Sequence, residues 1–250
     1  MTEFAKTQPA GPGAFGAEAA GLRWLAVEGG APVVRVLAVS ESRLTLERLS
    51  GPAPERAAAA LFGARLARTH DAGAVTFGAS PAGWSGPLYI GLASLPAGTA
   101  PTWGAFYAAE RVLPFARAAR DQGALDAGQS RLIDAVAARL ATGEFDDAAP
   151  PARIHGDLWA GNVIPGPDGL TLIDPAAHGG HRVTDLAMLA LFGVTHLATI
   201  WDAYAAESTW LPDGWRDLVP LHQLHPLLVH AVLFGGAYGP QAARAAHRYA

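Results

Sequence analysis

The stretch that decides the fold is IHGDLWAGNV (residues 154–163), followed after a short gap by LTLID (residues 170–174). The apolar pairs and runs at 163–164 and 170–173 flank a turn-forming segment, PGPDG, which predicts a hairpin with a five-residue loop. Such a hairpin returns Asp174 toward Asn162. Asp157 precedes Asn162 by five residues on a loop with two glycines, so we expect three oxygen-bearing side chains to converge at one end of the hairpin.

These three residue types suit phosphoryl transfer. Asn162 and Asp174 offer amide and carboxylate oxygens, the kind of partial shell that Mg²⁺ takes up together with waters and phosphates. Asp157 is then left to accept the proton of a substrate hydroxyl. Each residue alone is more often a turn cap or a strand end. All three in this order and spacing favour the catalytic site of a kinase.

An independent pair of charged residues lies near the start of the chain. Residues 3–6 predict a short strand that carries Lys6, and a helix is predicted from Ala14 with Glu18 on its buried stripe. Kinases hold a phosphate-binding strand lysine with a helix glutamate, and Lys6 and Glu18 fit that pair. The alternative is a solvated lysine and a glutamate that reaches out to water. The stripe itself consists of Phe15, Ala19, Leu22 and Leu25.

The remaining pattern predicts an α+β fold of two unequal lobes. Residues 33–39 and 44–49 read as an antiparallel strand pair, and the second strand lies where the lobes join, either as a nucleotide hinge or as an ordinary edge strand. Residues 1–50 would form a partial, β-rich small lobe and residues 51–250 a mostly helical large lobe. An ordered Gly- and Pro-rich loop is expected at 73–98. Helices are predicted at 55–70, 102–122, 126–140, 184–192, 196–206, 220–234 and 240–250.

Composition excludes several classes of function. A net charge of −4 with scattered basic residues argues against a nucleic-acid partner, and the absence of cysteine removes disulfides, thiolate nucleophiles and Cys-type zinc sites. The most apolar segment, 227–234, contains His230 and is too short to span a bilayer. We therefore expect a soluble, cytoplasmic protein without a membrane partner, whose oligomeric state the sequence leaves open.

The motif HGDLWxGN (155–162) with LIDPA (172–176) resembles the signature of the fructosamine (ketosamine) 3-kinases. Further segments are similar to that family in order along nearly the whole chain. Trp159-Ala160 stands where the wider aminoglycoside and choline kinase-like group has a His-Pro pair. The further segments are FxxEAxGL (15–22), YIGL (89–92), FY (106–107), GHR (180–182), DLAM (185–188) and LFGG (233–236).

The resemblance implies a two-lobed protein-kinase-like fold and a phosphotransferase activity that uses ATP and Mg²⁺. Its substrates would be ketosamines such as fructosyl- or ribulosyl-lysine adducts, phosphorylated on the sugar 3-hydroxyl, a step that starts deglycation. Carried over residue by residue, Asp157 would be the base, Asn162 and Asp174 the metal ligands, Lys6 and Glu18 the phosphate-positioning pair, and Glu47, Arg48 and Leu49 the nucleotide hinge. Trp159, His178 and His181 are expected to contact the acceptor. Trp159 would offer an apolar face to the C–H groups of a sugar, and the alternative is that it packs beneath the catalytic loop. His155 is expected to brace the loop, and Asp185 to serve mainly the first turn of a helix.

Two alternatives remain. Family members have two strands and a Gly-rich phosphate-covering loop before the lysine strand, and we expect these to be missing because Met1 precedes Lys6 by five positions. A non-catalytic kinase-like binding module is therefore one alternative. The other is an aminoglycoside- or choline-type kinase, with EFDD (144–147) as its cation-binding segment. A protein kinase is disfavoured, because Asp174-Pro175-Ala176 replaces Asp-Phe-Gly and no Ala-Pro-Glu follows.

Overall fold

The first fifty residues build a three-stranded antiparallel sheet covered on one face by a helix. The computed structural model describes residues 2–250. Strands β1 (Glu3–Lys6), β2 (Val36–Val39) and β3 (Leu44–Glu47) lie in the order β1-β3-β2, and Lys6 is opposite Leu44. Helix α1 (Ala14–Leu25) packs on this sheet, and the predicted stripe is buried. The stripe residues Phe15, Ala19 and Leu22 form one apolar cluster with Val34, Leu44 and Leu46.

Helices dominate the rest of the chain. A helical rod starts as α3 (Trp103–Phe106), continues through a π-helical turn (Tyr107–Val112) and ends as α4 (Leu113–Asp121), which places its bounds close to those predicted. The 73–98 loop contains a small hairpin of β4 (Leu88–Ile90) and β5 (Ala93–Leu95). The other helices are α2 (Arg56–Asp71), α5 (Ala127–Ala141), α6 (Arg182–Leu191), α7 (Leu197–Glu207), α8 (Trp215–His222), α9 (Leu224–Phe234) and α10 (Tyr238–His247).

One helix prediction is wrong. Residues 220–234 were expected to form a single helix, but α8 ends at His222 and α9 begins at Leu224. Pro226 explains the interruption, because a proline lacks the N–H for the helical ladder and its ring clashes with the carbonyl four residues earlier, which is that of His222. Pro220 is accommodated within α8.

The hairpin that carries the key residues also differs from the prediction in its loop. Strands β7 (Val163–Gly166) and β8 (Gly169–Leu172) pair until Gly166 faces Gly169, so the loop has two residues rather than five. Gly169 adopts a φ of 114°, which a side chain would disfavour, and this permits the tight turn. Strand β6 (Ala152–Ile154) pairs with β9 (His178–Gly180) beside it.

A short backbone ladder ties the small sheet to this hairpin. Val34 N–H donates to the Leu172 carbonyl (3.0 Å), and Leu172 N–H donates to the Pro32 carbonyl (2.8 Å). Residues 33–35 were predicted as strand, but β2 starts only at Val36 because Val33 and Val34 pair with Leu172 instead. The small sheet and the β7–β8 hairpin are therefore joined directly.

Helices α2 and α7 pack unusually closely. Gly63 on α2 faces the Ile200 backbone on α7, where an added Cβ would lie 3.0 Å from the carbonyl carbon and closer still to its oxygen. Phe62 and Leu66 of α2 are buried in the same cluster as Ile200 and Tyr204 of α7. Among residues 2–250, no helix combines the length and apolar character needed to cross a membrane.

Candidate active site

Asp157 and Asn162 meet on the loop between β6 and β7. Gly156 has a φ of 81°, a conformation that glycine adopts freely, and it turns the chain so that Asp157 follows immediately. The Asn162 side-chain nitrogen donates to the Asp157 backbone carbonyl (2.8 Å) and to its carboxylate (3.1 Å). The amide nitrogen is thus directed at Asp157, which leaves the amide oxygen as the group that can face a cation.

Lys6 links the small sheet to the hairpin through two carboxylates. Its Nζ lies 2.8 Å from the Glu18 carboxylate and 2.5 Å from that of Asp174. Asp174 follows β8 and has a φ of 53°, a left-handed conformation uncommon outside glycine that is found at functional sites. The structure therefore brings Lys6, Glu18 and Asp174 together, although they lie far apart in the sequence.

Burial sets the electrostatics of the site. It raises the pKa of Asp157 to about 7, helped by the nearby charges of Asp185 and Asp174 and opposed by the Asn162 hydrogen bond. Burial also raises the pKa of Glu18, despite the attraction of Lys6. Burial acts to lower the pKa of Lys6, but the two carboxylates outweigh it and the pKa is raised. Lys6 is accordingly a firmly charged cation.

All of these groups line one cleft of about 410 Å³. Asp157, Asn162, Asp174, Lys6 and Glu18 form its polar part. The remaining part is apolar and aromatic and includes Trp159, with 39% of its surface exposed. Helix α9 adds to this part Val229, His230, Leu233 and Phe234, none of which the sequence patterns single out as site residues, because in the sequence they look like the buried face of a helix.

The loop that carries Asp157 is held by Asp185 of α6. One carboxylate oxygen accepts the His155 N–H (2.7 Å) and the other accepts the Gly156 N–H (2.9 Å), and Asp185 is fully buried. The sequence favoured a simple helix-terminus role for this residue, so its support of the loop is larger than expected. His155 also braces the loop, because its Nε2 lies 2.8 Å from the Ile173 carbonyl.

The expected acceptor contacts His178 and His181 do not lie in the cleft. His178 is buried, with its Nδ1 2.8 Å from the Ala176 carbonyl, and burial lowers its pKa to about 3. His181 caps α6 by accepting the Val183 N–H (3.2 Å), and its Nε2 lies 3.0 Å from the Asp147 carboxylate. We therefore correct both assignments to structural roles.

The expected hinge residues also lie apart from the cleft. Glu47 N–H donates to the Arg35 carbonyl (3.0 Å), and Arg48 N–H donates to the Thr2 carbonyl (2.9 Å). These two groups are thus used within the sheet rather than offered to a nucleotide. Neither these residues nor Leu49 are among those that line the cleft.

The acidic segment 144–147 does not form a cation pocket in the cleft. Asp146 accepts the Gly104 N–H (2.6 Å), and Asp147 pairs with His181. Both carboxylates therefore serve the packing of the helical part. Trp103 and Tyr107 are buried in the core.

The site fits Mg²⁺ by its donor chemistry, because the Asn162 amide oxygen and the Asp174 carboxylate are hard oxygen ligands. Lys6, held beside Asp174, offers a cation for phosphate oxygens. A sheet-borne lysine paired with a helix glutamate, above a loop with Asp157 and Asn162 and a hairpin that ends in Asp174, defines the class of kinase-like phosphotransferases. Within that class the chain belongs to the fructosamine kinase family, whose family model matches residues 3–250.

Similar proteins agree with this assignment. A solved structure from Thermobifida fusca, described as a candidate fructosamine-3-kinase, is 46% identical with a TM-score of 0.88, over 99% of this chain and 85% of that one. A probable ketoamine kinase from Thermus thermophilus is 34% identical over 227 residues, 91% of this chain and 79% of the relative. A choline kinase structure from Streptococcus pneumoniae shares only the fold, at 16% identity and a TM-score of 0.58, over 99% of this chain and 85% of that one. These likenesses confirm the predicted kinase-like α+β fold.

The coverage of other relatives is smaller. For a probable ketoamine kinase from Klebsiella aerogenes, the match of 35% identity extends over 136 residues, 54% of this chain and 46% of the relative. The chain thus spans about half the length of some of the curated relatives it matches.

Proposed function

We propose that the chain transfers the γ-phosphoryl group of ATP to the sugar 3-hydroxyl of a ketosamine. The observation that carries this proposal is the placement of Asp157 in the same cleft as Lys6 and Asp174, with Asn162 bonded to it at 3.1 Å. Family membership supports a ketosamine as the acceptor. The choice of the 3-hydroxyl and of a fructosyl or ribulosyl sugar is part of the proposal.

Asp157 is suited to act as the base. Its pKa of about 7 lies near neutral pH, where a carboxylate is both available and a competent proton acceptor. As the acceptor oxygen bonds to the γ-phosphorus, its proton passes to Asp157 and the bond from that phosphorus to the bridging oxygen breaks, which releases ADP. Mg²⁺ held by Asn162 and Asp174 would neutralise charge on the phosphates.

Lys6 and Trp159 would position the two substrates. Lys6 is anchored by Glu18 at 2.8 Å, so that its ammonium group is already directed at the end of the hairpin when a triphosphate arrives. Trp159 presents a partly exposed indole to the same cleft. The C–H faces of a sugar pack favourably on such a ring, which supports a sugar-bearing acceptor.

The test is ADP release with ATP, Mg²⁺ and fructosyl- or ribulosyl-lysine, compared among the natural chain, Asp157→Asn and Asp168→Asn. Asp168 lies in the exposed β7–β8 turn and serves as the matched control. We expect turnover in the natural chain and in Asp168→Asn, and loss of at least about a hundredfold in Asp157→Asn.

Phosphorus NMR of the product would locate the phosphate on the sugar. Turnover of choline or an aminoglycoside, but of no ketosamine, would replace the proposed acceptor. Nucleotide binding without turnover of any acceptor would point to a binding module.

A further inference from the structure

Asp185, which holds the loop that carries Asp157, bonds to His70, and His70 in turn bonds to Tyr204 on another helix. His70, in the last turn of α2, places its Nε2 3.1 Å from the Asp185 carboxylate. The Nδ1 of the same ring lies 2.8 Å from the hydroxyl of Tyr204 on α7. A continuous chain of hydrogen bonds thus runs from Tyr204 through His70 and Asp185 to the loop that carries Asp157.

Tyr204, His70 and Asp185 form a hydrogen-bonded row, and each is shielded from water, as is His155 of the loop. Tyr204, His70, Asp185 and His155 each have 0% of their surface exposed. A buried polar group that loses its partner costs roughly 1–3 kcal/mol, because water cannot replace the lost bond. The row therefore has little freedom to rearrange.

The chemistry of Asp185 fixes the direction of its bond to His70. An ionised carboxylate only accepts, so the His70 Nε2 carries a proton and donates to Asp185. The other ring nitrogen, Nδ1, shares its hydrogen bond with the Tyr204 hydroxyl. Burial raises the pKa of Tyr204, so that its hydroxyl stays protonated over the working pH range.

The two oxygens of Asp185 are divided between the loop and the row. One accepts the Gly156 N–H, whereas the other accepts both the His155 N–H and the His70 ring N–H. If the His70 bond is lost, the carboxylate can rotate, and the N–H groups that place Asp157 lose a fixed partner. A shift of about 1 Å at the reacting group can cost on the order of a hundredfold in rate.

We propose that His70 and Tyr204 are positioning residues, which set the carboxylate of Asp185 and through it the backbone that places Asp157. This inference rests on the proposed function only where turnover is the readout. Neither residue contacts the cleft, so substrate affinity should not depend on them.

Two substitutions of His70 separate its two bonds. His70→Gln places a side-chain nitrogen near the position of Nε2 and can keep the bond to Asp185. His70→Asn reaches only the position of Nδ1, and can keep the bond to Tyr204 but not the one to Asp185. Tyr204→Phe removes the hydroxyl and leaves the ring. His222→Asn is the matched control, because His222 is as deeply buried but bonds to Thr184 instead of the loop supports.

Two measurements are made on all variants. The first is kcat and KM with ATP and a ketosamine, at a temperature where each variant is folded. The second is hydrogen exchange of the segment that contains the His155 and Gly156 amides, which needs no activity. We expect His70→Asn to lower kcat by about tenfold to a hundredfold with both KM values nearly unchanged, and to speed exchange of that segment. We expect His70→Gln to keep most of the natural kcat and of the natural protection from exchange. Tyr204→Phe should give values between those of His70→Asn and the natural chain, and His222→Asn should change neither kcat nor exchange.

Exchange and kcat in His70→Asn that match the natural chain would overturn the inference. So would equal losses in His222→Asn, because these would mark a general effect of destabilisation. If the natural chain turned over no ketosamine, the proposed function would fail, whereas the exchange data would still decide whether His70 and Tyr204 hold the loop.

Discussion

The contact between α2 and α7 gives a sharp prediction for Gly63→Ala. In an ordinary helix this change stabilises by about 1 kcal/mol, because glycine is the poorer helix former. Here the added Cβ would lie 3.0 Å from the Ile200 carbonyl carbon and closer to its oxygen. Both colliding groups are backbone-anchored, so no rotamer change can relieve the clash and the helices must separate by about 1 Å.

That separation has an energetic cost that can be bounded. A gap of about 1 Å forfeits up to half of each dispersion contact, and overpacking of this kind costs about 1–3 kcal/mol. Phe62, Leu66 and Ile200 lie in this interface and are almost completely buried, which places the cost at the upper end. After subtracting the helix-propensity gain, we expect Gly63→Ala to lower the unfolding free energy by about 2 kcal/mol.

Urea unfolding followed by far-UV circular dichroism measures this change directly. Gly128→Ala on α5 is the control, because its Cβ would approach only the Asp126 carboxylate, at 3.2 Å, and it should be neutral or stabilising by up to about 1 kcal/mol. A Gly63→Ala variant as stable as the natural chain would show that α2 and α7 do not approach as described.

Three further predictions concern stability and the acceptor. Burial holds the pKa of His178, His222 and His225 below the usual histidine value, so the unfolded chain binds these protons first, and the unfolding free energy should fall by about 1 kcal/mol per histidine for each pH unit below about 6. The raised pKa values of Asp157 and Glu18 offset part of this loss, and a flat profile of urea unfolding from pH 7 to 5.5 would contradict the prediction. Tyr107→Phe removes a buried hydroxyl that donates to the His222 carbonyl (2.7 Å) and accepts the His225 N–H (3.1 Å), so we expect a loss of about 1–3 kcal/mol by the same method, and a change below about 0.5 kcal/mol would refute it. Trp159→Ala should raise the KM of the ketosamine about tenfold and leave that of ATP unchanged in initial-rate assays, and the reverse pattern would assign Trp159 to the nucleotide side.

Local patterns predicted most of the secondary structure correctly. The stripe on α1, the hairpin around 163–172 and the long helices all follow from apolar periodicity, which depends only on neighbours in the chain. The errors lie where residues form contacts with distant segments or where a proline interrupts a helix. Residues 33 and 34 left the predicted strand to pair with Leu172, and the 220–234 helix broke at the proline of α9.

The residues of the candidate site were likewise predicted only in part. Lys6, Glu18, Asp157, Asn162 and Asp174 were predicted from motif order, and the structure places them in one cleft, whereas their catalytic roles stay predictions until the assays are made. His178 and His181 follow the motif closely in sequence, but β9 and α6 turn them into the core. Proximity along the chain is a poor guide there, because side-chain direction depends on packing.

His70 and Tyr204 could not be found from the sequence at all. They lie 134 residues apart, and nothing in the spacing of a histidine at the end of one helix and a tyrosine within another indicates that they meet. Only the close packing of α2 on α7, together with the placement of α6 beneath the catalytic loop, brings them to Asp185.

The backbone ladder between residues 32–34 and Leu172 has a mechanical consequence. It acts as a pivot, because backbone bonds fix the β2 side of the small sheet to the hairpin, whereas β1 at the opposite edge is linked to Asp174 through the Lys6 side chain. Asp174 lies two residues beyond the pivot, so a rocking motion of the sheet has a short lever arm at Asp174 and a long one at the far strands. Opening of the cleft should therefore displace β1 most and separate Lys6 from Asp174.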